Sequence, residues 1–289
     1  MKKWIAVLLT VLMLLTMMPA ALADGEWKVS LGNDLSDDQR REALNMLDVN
    51  EDEVQIFTIT IDEEKALLGG KVDADKFGTR SLSCISIRPA AEGSGINVTT
   101  QNITWVTESM YASAMATAGI KDAEVKVVCP LKVSGTAALA GIFKAYEATS
   151  GALDSAAKDT AANELVTTGE LGDVIGMDEA TKLIAMVKEQ IIANGYDDPD
   201  KVREVVLSVA KELGITLTDE QVEQIVNLVV SIATLDIDPE TLQKQLNKIN
   251  AKLRDLAATS EKALGFVQSI KDFFAKLVDW LSSLFGSKS

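Results

Sequence analysis

The second half of the chain constrains the fold most, because it is punctuated like a set of helices. From about residue 155 to 286, helix starts, stops and apolar stripes recur at helical spacing. Asp178 is read as the cap of one run, with Leu183, Ile184, Val187 and Ile191 on one face and Gly195 at its end. Asp198-Pro199 opens the next, with proline at the first helical position, where its fixed φ suits the helix and its missing N–H is not needed. Val202, Val205, Val206, Val209 and Leu213 form its stripe, and Gly214 closes it. Thr218-Asp219-Glu220-Gln221 is a capping box leading into the apolar positions of 222–233. Asp238-Pro239 starts the last long stretch. Such stripes bury themselves against other helices, so a bundle or a set of helical hairpins is expected.

The first half mixes strands with helices. Ser36-Asp37-Asp38-Gln39 is a second capping box, for a helix to about Leu47. Glu53–Ile61 is β-branched and reads as a strand, and Asp62–Leu68 as a short helix closed by Gly69-Gly70. Ser81–Arg88 and Glu124–Pro130 read as strands, and Ile96–Thr100 with Ile103–Val106 as two strands or one interrupted strand. Glu108–Ala118 and Thr136–Thr149 read as helices. Alternating strands and helices predict an α+β or α/β layer, a mixed sheet of four to five strands with packed helices, followed by an all-α region. The LSDDQ segment at Leu35 and the LTDEQ segment at Leu217 look alike, but both are simply good helix starts.

The N-terminus carries Lys2 and Lys3, an apolar run from Trp4 to Met18, Pro19, and a small-x-small site at Ala21-Leu22-Ala23 before Asp24. This order is that of a secretory signal peptide, with an apolar run short of the roughly 20 residues a bilayer span needs. The expected organisation is therefore residues 1–23 as signal peptide, 24–150 as the mixed domain, 151–262 as a helical region, and 263–289 as an amphipathic helix and tail. Cleavage near Ala23-Asp24 would yield a secreted or extracytoplasmic protein. Removing two lysines takes the net charge from −15 to −17, with 26 basic against 43 acidic residues. A surface this acidic repels nucleic acid and anionic lipid, so no nucleic-acid partner is expected.

The chain has no histidine. That removes Ser-His-Asp and Cys-His catalysis and histidine-based zinc sites from its chemistry. With two cysteines, a structural zinc site has too few thiolates, and no metal or cofactor is expected. Carboxylate chemistry, serine-lysine chemistry or simple binding remain. Cys84 and Cys129 lie on two strand-like segments and, in an exported protein, are expected to pair as a disulfide, with two buried free thiols as the alternative.

Asn102–Glu147 resembles the YpuA-like family of secreted Gram-positive bacterial proteins, through Asn102-Ile103-Thr104, the Ala118-Gly119-Ile120 turn and the run Val133-Ser134-Gly135-Thr136-Ala137-Ala138-Leu139. The LGNDLSDDQ opening at Leu31–Gln39 fits it, as does the order of signal peptide, mixed domain and helical tail. Cys129 departs from the small apolar residue expected before Pro130. The resemblance implies an extracytoplasmic protein and no particular reaction.

Three features are candidates for function. Lys132-Val133-Ser134-Gly135-Thr136 follows a strand and opens a helix, a junction with free N–H groups suited to an anion or a carbonyl oxygen. Ser134, Gly135 and Thr136 are candidate ligand residues, with Ser134 as a candidate nucleophile, against the plainer reading that Ser134 or Thr136 caps the helix. Asn102 and Thr104 form a second polar cluster beside Trp105, with Asn102 as a turn residue in the plainer reading. Asp48–Asp52 mimics the start of a calcium loop, but Glu53 and Ile59 stand where glycine and glutamate are required. Finally, Phe266, Ile270, Phe273, Leu277, Leu281 and Leu284 follow helical spacing, and Phe274, Trp280 and Phe285 widen that face. It is suited to packing on the bundle, to a protein partner or to a membrane surface.

Three functions follow as expectations. The first is a non-catalytic secreted or cell-envelope protein binding an extracellular or envelope ligand. The second is a serine-lysine or carboxylate hydrolase acting outside the cytoplasm, and the third a membrane-interface protein acting through its C-terminal helix.

Overall fold

A computed structural model of the chain describes residues 26–72 and 74–255. The signal peptide expected at residues 1–23 and the amphipathic helix expected from Phe266 to Phe285 lie outside the described residues.

Five strands form one mixed sheet: β1 Lys28–Gly32, β2 Gln55–Ile59, β3 Cys84–Pro89, β4 Ile96–Ile103 and β5 Ala123–Val133, in the order β2-β1-β3-β5-β4. β1 and β2 run parallel, as do β4 and β5, while β3 is antiparallel to β1 and β5. The strand β1 carries no sequence signal of its own. All five of its residues are buried, so it lacks the in-out alternation that marks a half-exposed strand. Ile96–Ile103 is a single strand, with a register shift against β5 between Gln101 and Ile103 and Asn102 at φ +62°; the expected strand Ile103–Val106 does not form, and residues 104–106 lie beyond β4.

The helices of the first half are α1 Asp37–Leu47, α2 Ile61–Leu68, the single turn α3 Ala74–Phe77, α4 Glu108–Thr117 and α5 Ala138–Ser150. The capping box at Ser36 forms as its sequence requires, and Thr60 and Thr107 build two more. On one face of the sheet α1 covers Val29, Leu31, Cys84 and Val128. On the other face α4 and α5 pack, and a helical layer closes over them: α6 Ser155–Ile175, α7 Met177–Asn194, α8 Pro199–Glu212, α9 Asp219–Ala233 and α10, residues 239–255. Asp198 caps α8 with Pro199 behind it, and Thr218 and Gln221 complete the capping box of α9. Asp178 is not a cap: α7 starts at Met177 after Gly176, and Asp178 lies in its first turn.

One hydrophobic core runs through both halves. It joins Leu68, Val98, Tyr111 and Ile142 of the sheet region to Leu165, Leu183, Val206, Ile225 and Leu246 of the helical layer.

The disulfide expected between Cys84 and Cys129 is not formed; both are buried free thiols. The register explains it. Cys84 stands opposite Val128, so Cys129 is one residue out of step. Side chains alternate along a strand, so a one-residue offset takes Cys129 out of the position that faces Cys84. Each thiol lies 3.4 Å from the Leu82 carbonyl oxygen. Burial pushes the Cys84 thiol up to about 12 and also raises Cys129, so neither is held as thiolate.

Candidate functional site

The turn between β5 and α5 is built from the strand upward. Asn102 takes the left-handed conformation at the break in β4 and donates its amide to the Cys129 carbonyl at 2.8 Å. Thr104 donates both its N–H and its hydroxyl to the Val133 carbonyl, each at 2.9 Å. The Trp105 and Val106 amides then donate to the Ser134 carbonyl. These contacts lock the end of β4 to the start of the turn.

Gly135 sits at φ +94°, and a Cβ there would lie 2.4 Å from Ile103 Cγ2 and 2.6 Å from Tyr111 Oη. Its carbonyl accepts the Tyr111 hydroxyl at 2.5 Å. Glycine is required at this position twice over, by conformation and by space.

Neither Ser134 nor Thr136 caps the helix. The cap residue of α5 is Ala137, with no side-chain hydrogen bond. The hydroxyl of Ser134 instead donates to the Lys76 carbonyl at 2.6 Å, with Thr136 Oγ1 3.4 Å from the same oxygen. This staple ties α3 to the turn across 58 residues. Lys76 continues the connection outward. Its ammonium lies 2.6 Å from Asp173 and 4.8 Å from the Trp105 ring centre, while the Trp105 indole N–H donates to Asp173 at 3.0 Å.

Between the stapled segments lies a pocket of about 350 Å³. Its walls are Lys76–Arg80 with Leu82 and Ser83, and Lys132–Ala137. Three of the lining residues are cationic, Lys76, Arg80 and Lys132, and none is acidic. Thr136 is buried, Ser134 half-buried, and Arg80 and Lys132 exposed at the rim. The sequence candidates Ser134, Gly135 and Thr136 are therefore brought to one pocket. Asn102 and Thr104 support it from behind through backbone contacts and do not line it.

A larger opening of about 550 Å³ lies at the seam between the β3–β4 loop and α10. Its charges are internally matched. Burial alone would raise the Asp122 carboxyl, but the Gly95 and Gly93 amides and Lys248 hold it below the usual range. Lys244 pairs with Glu240, and Lys248 bonds the Gly93 carbonyl. These side chains fasten the loop to the helix.

Two buried polar centres escape a reading of the sequence alone. Lys188 and Glu164 are 0% and 1% exposed, with Nζ and Oε1 2.6 Å apart. The Lys188 ammonium also donates to Ser113 Oγ at 3.0 Å, Thr117 Oγ1 at 2.7 Å and the Ser113 carbonyl at 3.2 Å. The two hydroxyls donate in turn to the Glu164 carboxylate. Burial lowers the Lys188 pKa and Glu164 opposes that. The group joins α4, α6 and α7 inside the core. A sequence signal for it exists: Lys188 falls on the helical stripe of Ile184 and Ile191. The second centre is Glu64, fully buried on α2, whose Oε1 accepts from the Ser81 hydroxyl and whose Oε2 has no partner among the described residues. Burial raises its pKa to about 7, and Asp34 and Glu63 add to the rise. Among the described residues, no group of three or more potential metal-ligating side chains gathers, and no helix is long and apolar enough to cross a membrane.

Comparison with known proteins places the chain. Residues 31–249 match the family described as "Protein of unknown function (DUF1002)". The chain is also 40% identical over 289 residues to "Uncharacterized protein YpuA" of Bacillus subtilis (strain 168), covering 98% of this chain and 99% of that protein. No solved structure matches it. The chain belongs to the DUF1002 family, in agreement with the resemblance carried by Asn102–Glu147.

Proposed function

We propose that this member of the DUF1002 family is an exported, non-catalytic binding protein of the cell envelope or its surroundings, whose ligand occupies the pocket at the β5–α5 turn. The observation that carries this reading is the construction of the pocket. Two segments more than fifty residues apart are stapled through Ser134 Oγ and the Lys76 carbonyl, and a polar cavity of about 350 Å³ stays open between them. Its walls are held by Tyr111, Trp105 and the β4–β5 ladder, so the pocket is set before any ligand arrives. Export is inferred from the basic, apolar and small-residue order of residues 1–23.

The residues of the pocket favour binding over hydrolysis. The Ser134 hydroxyl is engaged by a backbone carbonyl and has no lysine ammonium among its described partners. The lysine that does meet a serine, Lys188 with Ser113, is sealed in the core and paired with Glu164. A serine-lysine mechanism needs a neutral lysine and a serine that substrate can reach.

Thr79 is exposed and lines the pocket, so Thr79→Trp fills it without entering the core. Wild-type protein collected from the culture medium of its producing cells should carry a small molecule visible by native mass spectrometry. T79W should lose it with melting temperature unchanged. Equal small-molecule content in both proteins would remove the pocket from the account.

A further inference from the structure

Resting on the pocket reading above, we infer that the ligand presents a phosphoryl group, held between Arg80 and Lys132 at the start of α5. The first ground is charge. The chain has 43 acidic and 28 basic residues, yet the lining of this pocket contains three cations and no carboxylate. In so acidic a protein, a cationic concavity is a local reversal of sign. It selects anions at contact range, because the field of the remaining surface is screened beyond about 8 Å at physiological salt.

The second ground is which cations are free. Lys76 is neutralised by Asp173 and stacked on Trp105. No carboxylate of the described residues stands within ion-pair distance of Arg80 or Lys132. Asp34 lines the adjoining opening that Arg80 also borders, but its carboxylate accepts the Ser81 N–H at 2.8 Å. Two cationic side chains at one rim, both exposed and without a described ion-pair partner, are an arrangement that an anion completes.

The third ground is the helix. α5 has thirteen residues and begins at the pocket floor with no side-chain cap. The hydroxyls nearest its start are turned to the Lys76 carbonyl instead. Its first two N–H groups donate to the Gly135 and Thr136 carbonyls, at 3.1 and 3.4 Å, so the helix offers the pocket the positive end of its dipole rather than open amides.

The two free cations distinguish the anion. A planar carboxylate seated in the arginine fork has both oxygens in one plane and turned towards Arg80. A tetrahedral phosphoryl group offers three oxygens in different directions. One face meets the Arg80 fork and a further oxygen meets the Lys132 point charge, with the positive end of the α5 dipole beside it.

The test uses the full mature chain and isothermal titration at constant ionic strength with inorganic phosphate, pyrophosphate and acetate. Co-sedimentation with phosphatidic acid/phosphatidylcholine vesicles is run beside it. The expected result is binding of phosphate or pyrophosphate at least tenfold tighter than acetate, weakened at least tenfold in R80A/K132A. Both residues are exposed, so melting temperature and circular dichroism should not change in that variant. Sedimentation of wild type but not R80A/K132A with the vesicles, with weak soluble phosphate binding, identifies a lipid headgroup as the source of the same chemistry. Acetate binding equal to phosphate, binding that survives in the double variant, or no binding of any phosphoryl probe would overturn the inference. In the last case a molecule that T79W still displaces would leave the pocket reading standing and the phosphoryl assignment alone refuted.

Discussion

At the residue scale, the Lys188–Glu164 pair and Glu64 behave in opposite ways. Lys188 and Glu164 complete each other: every hydroxyl around them both accepts from the ammonium and donates to the carboxylate. Removing one partner strands a buried charge, which typically costs about 3–5 kcal/mol. Urea unfolding of K188M or E164Q should show a loss of that order, and K188M/E164L should recover part of it. Single variants within about 1 kcal/mol of wild type would contradict the pairing. Glu64 has no such counter-charge. The Ser81 hydroxyl faces two acceptors, the Ile59 carbonyl at 2.8 Å and Glu64 Oε1, but owns one hydrogen. A protonated Glu64 supplies the second. Its folded pKa of about 7 stands above the ordinary 4.5, so the folded state holds a proton that the unfolded chain has lost between those values. The stability this contributes is complete below about pH 4.5 and is lost as pH rises towards 7. Asp34 and Glu63 face the same carboxyl and steepen the effect, with Glu63 itself paired to Lys144. Thermal melting of wild type should therefore fall from pH 5 to pH 8 more than that of E64Q, whose amide donates to Ser81 at every pH. Parallel melting curves for the two would show that Glu64 titrates normally.

At the element scale, the β5–α5 turn is the least tolerant segment. Gly135→Ala puts a methyl group against Ile103 and Tyr111 at φ +94°, so a loss of roughly 2 kcal/mol or more is expected in urea unfolding. Wild-type stability in that variant would mean that the turn is looser than its contacts imply. Much at this scale is legible in sequence, because caps are local. Ser36 with Gln39, Asp198 with Pro199 and Thr218 with Gln221 announce their helices within four residues. β1 is not legible, since Lys28–Gly32 is buried on both faces and shows no alternation. α6 falls within the region read as helical, but its buried face is not legible, because alanine and glycine make up much of it: Gly169 lets the Trp105 ring close to where a Cβ would stand, and small residues leave little apolar periodicity to read. The roles of Ser134 and Thr136 are hidden for a related reason. The sequence offers a helix start within reach, while their actual partner, the Lys76 carbonyl, is 58 and 60 residues away. The same limit applies to Cys84 and Cys129, whose relation depends on a one-residue choice of register.

At the scale of the whole molecule, the compositional boundary near residue 150 is not a boundary in the core. Tyr111, Leu139 and Ile142 share one apolar cluster with Leu165, Leu183 and Val229. Residues 24–289 should therefore unfold in one cooperative transition by both circular dichroism and tryptophan fluorescence, and a chain ending at residue 150 should not fold. Two separated transitions, or a folded 24–150 fragment, would divide the protein where its composition divides. The helical layer thus serves the pocket as well as the core, since Asp173 of α6 holds both Lys76 and Trp105 beside it. If the ligand sits in the β5–α5 pocket, hydrogen exchange will locate it there. Adding pyrophosphate to the mature protein should slow amide exchange in Lys76–Ser83 and Lys132–Leu139, and leave the β3–β4 loop and α10 unchanged. Protection centred on that loop and α10 would move the ligand away from the β5–α5 pocket, and no protection anywhere would refute the phosphoryl assignment.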